Sequence, residues 1–225
     1  MRKINLLGIE LTDFTLKESL KYVNEYLNNG ALNTVSFIST QTLVQAGENE
    51  EQKLWLESVD MTICDETDIL KAAGFATRNR MREVEEGEFV HELLQRLARR
   101  HLKIFLLSDS TKQMEQLQHD LYAQQDGLCV VGEYILDESA GSVDSLINEI
   151  NDVVPNVILS RFPYPLNEQL MYENKQMMNA DIWVALPAHP LISTHRGLRR
   201  SKLLNAFYKK LFDRKISQYH DQKAE

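Results

Sequence analysis

The chain has 225 residues, of which 43% are hydrophobic, and its formal net charge is −8. This length and composition exclude a wholly disordered chain and suffice for one α/β domain with a small appendage. No apolar run is long enough to cross a bilayer, and Glu10 and Asp13 are not typical of a secretory signal, so we expect a cytoplasmic protein. Cys64 and Cys129 lie within apolar runs, which favours buried thiols over a disulfide or a metal pair.

Positive charge is concentrated near the C-terminus. Between Arg196 and Lys215 the sequence carries eight Lys or Arg residues and a single acid, Asp213, so the rest of the chain is strongly acidic. The sequence therefore predicts an acidic body with a basic C-terminal segment. An anionic membrane surface is a candidate partner for residues 196–215, and no nucleic-acid partner is expected.

Short apolar runs alternate with segments of helical period along most of the chain. This alternation predicts an α/β fold, a Rossmann-like and mostly parallel sheet with helices on both faces. Thr15 and Glu18 form a capping-box pattern at the start of the first helix, and Gly30 follows its end. Strands are predicted at 4–9, 34–38, 61–64, 103–107, 128–131, 156–160 and 182–186, and the clearest helices at 15–27, 89–97, 111–121, 143–150 and 166–178.

The periodic pattern ends after Leu186. The following segment, PAHPLISTHRGLRRSK, has two prolines, a glycine and no steady period, and it predicts a mobile loop. From Leu203 to Phe212, apolar residues recur at spacings of three and four with lysines between them, which predicts a basic amphipathic helix. We therefore expect a core over residues 1–186 and a loop with a helical appendage over residues 187–225.

Polar residues that directly follow the predicted strands are the candidates for chemistry, because ligands of open parallel sheets bind beyond the carboxyl ends of the strands. Asp65 follows the apolar run MTIC, where burial could raise the pKa of its carboxyl toward that of a general base. The alternative is that Asp65 or Asp68 caps the next helix.

A second candidate segment is LLSDSTKQ, where Ser108, Asp109 and Ser110 follow a predicted strand. These residues either contact a nucleotide diphosphate or cap the helix that begins near Thr111, and the absence of glycine disfavours the diphosphate. Neither a GxGxxG fingerprint nor a P-loop is present. The histidines have no metal-ligand spacing, so no metal site is expected.

A series of segments, taken in chain order, invites comparison with known families. They are LLGIELTDFTLKESL, FISTQTLVQAGENEE, SVDMTICDETDILKAAG, MREVEEGEFVHELL, KIFLLSDSTKQMEQL, VVGEYILDES, PYPLNEQL and LLNAFYKKLFDRKISQYH. Together they resemble the WecG/TagA/CpsF family of bacterial glycosyltransferases. The resemblance implies transfer of a sugar, typically N-acetylmannosamine, from a UDP-sugar to a lipid-diphosphate-linked acceptor at the cytoplasmic membrane face, in cell-surface polysaccharide synthesis.

The resemblance also implies site residues. Asp65 falls on the family's proposed catalytic base, with Thr40 as a second catalytic candidate, and Arg82 is the nearest candidate for the family's arginine. Beyond the UDP-sugar, which is a substrate, no cofactor is implied, and the oligomeric state is left open. The candidate substrate-binding residues in the matching segments are Ser39, Gln41, Gly87, Ser108, Asp109, Gly132, Tyr134, Pro165, Asn167, Glu168, Lys209 and Arg214. To these we add Arg161, a cation at a strand exit that is this sequence's own, and the C-terminal cations Arg196, Arg199 and Arg200, which could offset charge on a leaving diphosphate.

The chain departs from the family pattern where four motif glycines are replaced, by Glu66, Ser108, Asp109 and Pro163. Each replacement puts a side chain where the family has open backbone. Two hypotheses follow: a glycosyltransferase of altered substrate choice with Asp65 as its base, or a catalytically inactive relative that acts as a binding or regulatory subunit. A third is a peripheral membrane adaptor that works through the basic helix alone.

Overall fold

The computed structural model describes residues 2–137, 142–187, 189, 191 and 199–224, with the side chains of the last segment described over 206–219. The strands are β1 Arg2–Leu6, β2 Ile9–Asp13, β3 Asn33–Ile38, β4 Met61–Cys64, β5 Lys103–Ser108, β6 Cys129–Ile135, β7 Val157–Arg161 and β8 Ile182–Ala185. The helices are α1 Leu16–Tyr26, α2 Thr40–Ala46, α3 Glu50–Glu57, α4 Thr67–Ala72, α5 Arg78–Glu85, α6 Glu88–Arg99, α7 Thr111–Gln124, α8 Val143–Val153, α9 Leu166–Asn174 and α10 Arg199–Ala224, with a 3-10 turn, Lys175–Met177, after α9.

The main sheet contains six parallel strands in the order β4-β3-β8-β7-β5-β6. Helices cover both of its faces, and every residue of β4, β7 and β8 is buried. This double burial explains why these strands occur in the sequence as continuous apolar runs. The predicted Rossmann-like α/β fold is therefore confirmed, and six of the seven predicted strands correspond to β3–β8.

The predicted first strand, residues 4–9, is wrong. The segment forms a hairpin of β1 and β2, which pair antiparallel in a separate two-stranded sheet. Leu7 and Gly8, the residues between the strands, both have positive φ, at 54° and 78°, as two-residue hairpin turns often require. A leucine is unusual at such a position, and the sequence therefore gave little indication of the turn.

Most of the predicted helices are confirmed, and α1 shows how the sequence specifies one. The side chain of Thr15 accepts from Glu18 N–H, while the carboxylate of Glu18 accepts from Thr15 N–H, which is the predicted capping box. The four helices between β3 and α6 have only six to eight residues each, too few for a clear periodic signal. Both cysteines are unpaired; Cys64 is buried and Cys129 half-buried.

The C-terminal helix α10 docks against the body of the protein. Phe212 is 1% exposed and packs in an apolar cluster with Ile38, Leu43 and Ile69. On the same helix, the hydroxyl of Tyr208 accepts a hydrogen bond of 3.4 Å from the side-chain amide of Gln45 on α2. The helix begins four residues before Leu203, where the apolar spacing in the sequence becomes visible.

We predict that Phe212→Ala releases α10 from the body, because truncation of a buried phenylalanine costs roughly 3–5 kcal/mol and Phe212 is the only fully buried side chain among residues 206–219, the part of α10 whose side chains are described. Amide hydrogen exchange, measured by mass spectrometry, should accelerate over residues 206–219 and stay unchanged in β3–β8. Phe207→Ala, on the same helix but at a side chain 60% exposed, is the matched control and should exchange as wild type. Faster exchange throughout the sheet in Phe212→Ala would show instead that α10 belongs to the central core.

Candidate active site

Two cavities meet at the carboxyl ends of β3, β4 and β8, and Phe37, Asp65 and Pro187 line both of them. The larger cavity, of about 460 Å³, also lies against α5, the start of α6 and Lys209 of α10. The smaller cavity, of about 270 Å³, lies between the start of α2 and the turn that leads into α9. Asp65 therefore stands in the wall between two compartments.

Backbone pairing fixes the position of Asp65. Its N–H donates to the carbonyl of Ile38 at 2.9 Å and so extends the β3–β4 ladder by one residue. Its carboxylate oxygen Oδ2 lies 2.8 Å from Nε2 of His189, and because an ionised carboxylate only accepts, the imidazole donates. The alternative of a helix cap is wrong for both aspartates, since Glu66 occupies the N-cap of α4 and makes no side-chain cap bond.

Glu66, which replaces a family glycine, is tied to its neighbours. Its carboxylate accepts a hydrogen bond of 2.9 Å from the hydroxyl of Thr40, and Nζ of Lys209 lies 3.8 Å from it and 2.9 Å from Asp68. Burial raises the pKa of Glu66, while the Thr40 hydroxyl and the charge of Lys209 oppose the rise. Thr40 is 1% exposed and lines neither of the two cavities, so it acts on the larger cavity through Glu66.

An arginine that the sequence comparison missed lines the larger cavity. Arg80, on α5, forms an ion pair of 2.5 Å with the buried carboxylate of Asp13 and a second ion pair with Glu83. Burial alone would lower the pKa of Arg80, but the hydrogen bond to Asp13 and the two negative charges raise it. Arg82, the predicted candidate, is 60% exposed and pairs with Glu88 outside both cavities. The helical turn of α5, which was not predicted, is what brings Arg80 inward.

Buried groups without partners line the smaller cavity. Glu168 is 3% exposed, and its Oε1 accepts a hydrogen bond of 2.5 Å from Ser36 Oγ. Among the described residues, neither Oε2 of Glu168 nor the hydroxyl of Tyr164 has a hydrogen-bond partner. Burial raises the pKa of Glu168 to about 7, against the lowering effect of Ser36, and burial also raises the pKa of Tyr164.

Several other predicted residues surround the two cavities. Ser39, Gln41 and Asn167 line the smaller one, and Gly87 and Lys209 line the larger one. The side chain of Asn167 is held by Ser160, which donates to it at 2.7 Å. Pro165 lies outside both linings at the N-cap of α9, whereas Pro163 lines the smaller cavity.

Four predicted residues lie on the β5–β6 side of the sheet, away from Asp65, and line neither of the two cavities. They are Ser108 at the end of β5, Asp109 directly after it, and Gly132 and Tyr134 on β6. Ser108 is fully buried and donates to the carbonyl of Ser110, and Ser110 caps α7, so the capping interpretation of this segment is confirmed. A Cβ at Gly132 would approach the ring of Phe105 to 2.6 Å, which gives this glycine a packing role.

The remaining predicted cations are dispersed. Arg161 is 1% exposed and forms a buried ion pair with Asp120, and it lines neither cavity. Arg214 is exposed on α10. Arg196 lies outside the described residues, and the side chains of Arg199 and Arg200, at the start of α10, do so as well.

Over the described residues, no cluster of three or more His, Cys, Asp or Glu side chains could hold a metal ion, and no helix is long and apolar enough to span a bilayer.

The fold and these cavities define an α/β protein whose candidate ligand site lies at the carboxyl edge of a parallel sheet, the place where doubly wound proteins bind nucleotides. The model of the glycosyl transferase WecG/TagA/CpsF family matches residues 4–189, and the chain belongs to this family. Membership indicates glycosyltransferase activity in cell-surface polysaccharide synthesis. Among curated proteins, none matches the chain.

We predict that Glu168→Gln flattens the dependence of stability on pH. Because burial raises the pKa of Glu168 to about 7 from 4.5, its favourable contribution is fully present below about pH 4.5 and is lost as the pH rises through 7. Between pH 5 and pH 8, the free energy of unfolding from urea titrations should fall by roughly 2–3 kcal/mol more in wild type than in Glu168→Gln.

Glu173→Gln is the matched control for this experiment. It makes the same substitution on α9 at an exposed side chain that bonds only to Gln169 among the described residues, and it should keep the wild-type pH dependence. Equal pH dependence of the unfolding free energy in wild type and Glu168→Gln would show that burial does not raise the pKa of Glu168.

Proposed function

We propose that the protein transfers an N-acetylmannosamine-type hexose from a UDP-sugar to a lipid-diphosphate-linked acceptor, with Asp65 as the general base. The observation that supports this most directly is the position of Asp65 in the wall shared by two cavities. A base for glycosyl transfer must reach the acceptor hydroxyl while that hydroxyl faces the anomeric carbon of the donor, so it has to lie between the two substrates.

The charges of the two cavities support a proposed assignment of the substrates. The larger cavity contains Arg80 and Lys209, which can stabilise the negative charge that develops on a departing diphosphate. The described lining of the smaller cavity has no cation but presents hydroxyl and amide groups and the buried carboxyl of Glu168. Such a surface suits the hydroxyl and amide groups of a sugar better than a phosphate.

In the proposed reaction, Asp65 accepts the proton of the acceptor hydroxyl, whose oxygen forms a bond to the anomeric carbon. The bond from that carbon to the diphosphate oxygen breaks, and UDP leaves with the electron pair. His189 donates to Oδ2 of Asp65 and so orients the carboxylate, which leaves Oδ1 to take the proton. Arg80 and Lys209 lie in the cavity where the leaving charge would develop.

A second candidate function, a catalytically inactive binding or regulatory subunit, is favoured by the charge of the larger cavity. Its described lining carries five carboxylates, Asp65, Glu66, Glu83, Glu85 and Glu86, against the cations Arg80 and Lys209. Both cations are already paired, Arg80 with Asp13 and Glu83, and Lys209 with Asp68. To bind either cation, a diphosphate would have to compete with its carboxylate partner, Asp13, Glu83 or Asp68. A protein that binds no diphosphate would not have to break these ion pairs.

We expect Asp65→Asn to lower kcat for UDP release by roughly 10²–10⁴, because an amide cannot accept the proton, and to leave the KM for the donor within a few-fold of wild type. The assay contains UDP-N-acetylmannosamine and a lipid-diphosphate acceptor. Asp126→Asn is the matched control, since Asp126 is exposed in the turn before β6, and it should have wild-type kcat. If wild type neither binds a UDP-sugar in calorimetry nor releases UDP, transfer is excluded and the inactive-subunit function stands.

We also propose that the protein works at the inner membrane face through α10. Phe207 is 60% exposed, and Lys210 and Arg214, three and seven residues further on, are exposed on the same side of the helix. An exposed aromatic side chain with cations beside it is typical of helices that lie on anionic bilayers.

The double variant Phe207→Ser/Lys210→Glu should bind phosphatidylserine-containing vesicles at least tenfold more weakly than wild type. Each cation near the surface contributes about 1 kcal/mol to binding, and the double variant loses both a cation and the exposed aromatic ring. Co-sedimentation at moderate salt measures this binding. Lys21→Glu, on α1 at a side chain 74% exposed, is the control for a charge reversal elsewhere and should bind as wild type. Equal binding by the α10 double variant and wild type would exclude α10 as the membrane contact.

A further inference from the structure

Two side chains of α7 hold the backbone of Leu191. The carboxylate oxygen Oδ2 of Asp120 accepts from Leu191 N–H at 3.1 Å, and Nε2 of Gln124 donates to the carbonyl of Leu191 at 3.0 Å. Asp120 and Gln124 are four residues apart and therefore project from the same face of the helix. Both backbone hydrogen-bonding groups of one residue are thus fixed by a single helix.

The carboxylate that holds Leu191 belongs to a buried ion pair. Asp120 and Arg161 are each 1% exposed, and Nη1 of Arg161 lies 2.9 Å from Oδ2 of Asp120. Gln116 donates to the other carboxylate oxygen at 2.8 Å. Within the described part of the chain, Nε and Nη2 of Arg161 have no partner. Burial lowers the pKa of Arg161, while the negative charge of Asp120 opposes this shift.

Stability alone gives a weak reason for such a pair, because buried ion pairs can be replaced by apolar side chains of similar volume with little loss or even a gain. An apolar pair could not accept a hydrogen bond from Leu191 N–H, however. What the Arg161–Asp120 pair provides is a charged acceptor, fixed in the interior, at the point where the chain passes after β8.

The held residue lies two positions after His189, the partner of Asp65. Before His189, Leu186 N–H donates to the carbonyl of Ser160 at 2.8 Å, so the segment that carries His189 is tied to β7 on one side and to α7 on the other. The imidazole itself is 56% exposed, and burial therefore contributes little to its position. Two residues of chain span at most about 7 Å, so the place of Leu191 closely limits where His189 can reach.

We propose that Asp120 and Gln124 are positioning residues that hold His189 against Asp65, with the ion pair to Arg161 fixing the Asp120 carboxylate in place. Neither α7 side chain bonds to Asp65, and although Gln124 lines the larger cavity, both side chains act on the base through the backbone of residue 191. For catalysis the inference rests on the proposed function, because a base with a loosely held partner would be misoriented toward the acceptor hydroxyl. The position of His189 can be measured whether or not the protein is a catalyst.

The first test uses Gln124→Leu, which removes the bond to the Leu191 carbonyl and leaves the Arg161–Asp120 pair intact. The nitrogen signals of the His189 imidazole, measured by NMR, should move toward those of Asp65→Asn, and the Leu191 amide should exchange faster. kcat for UDP release should fall roughly ten- to hundredfold, and the imidazole signals separate this effect from any change in donor KM, since Gln124 also lines the larger cavity. Gln118→Leu is the matched control on α7, because its side chain contacts Glu133 instead, and it should keep wild-type imidazole signals.

A second variant removes the charged acceptor without leaving a lone buried charge. Asp120→Leu combined with Arg161→Leu should keep a cooperative unfolding transition close to wild type and should shift the His189 signals as Gln124→Leu does. Wild-type imidazole signals in both Gln124→Leu and the double variant would overturn the proposal. If wild type itself releases no UDP, the proposed function fails, yet the imidazole signals still decide whether α7 positions His189.

Discussion

The site depends on the pairing of β3 with β4 on one side and with β8 on the other. In this parallel arrangement Val35 is opposite Met61 and Val184, so three strands deliver their following residues to one edge of the sheet. The bond from Asp65 N–H to Ile38 O continues the pairing by one residue and fixes the carboxylate there. A register shift of one residue would turn Asp65 to the opposite face of the sheet and abolish both cavities' common wall.

This placement brings two carboxylates close together in the larger cavity, where their charges repel each other. Asp65 and Glu66 enter the same space, and the structure compensates with Lys209 from α10, whose charge is shared between Glu66 and Asp68. Docking of α10 through Phe212 therefore brings both apolar contact and a compensating cation. Under the proposed function, a phosphate beside Lys209 would compete with Glu66 and Asp68 for its ammonium group, so the affinity for a diphosphate would be a difference between two ion-pairing arrangements. The proposal thus links substrate affinity to the docking of α10.

The sequence predicted correctly those elements whose structure depends on interactions between neighbouring residues. The buried strands and the capping box of α1 are specified by neighbouring residues, and so is Asp65, which ends an apolar run. His189, Arg80 and Asp120 were not predicted as site or positioning residues, because each acquires its role from a partner 41 to 124 positions away in sequence. The hairpin at Leu7 was missed for a different reason, since a leucine with positive φ contradicts the usual turn preferences.

In the fold, the four residues that replace family glycines occupy two different kinds of position. Ser108 ends β5 and is buried, and Asp109 follows it and accepts from Ser110, so these two replacements belong to the start of α7 and not to the wall around Asp65. Glu66 and Pro163 line the larger and the smaller cavity respectively, one in each. Each narrows its compartment while leaving Asp65 and its histidine partner in contact. Among the described residues, the Tyr164 hydroxyl and Oε2 of Glu168 lack partners in the smaller cavity, and unsatisfied groups of this kind destabilise a fold unless a ligand pairs with them. This cost supports the proposal of a changed ligand over that of an abandoned site.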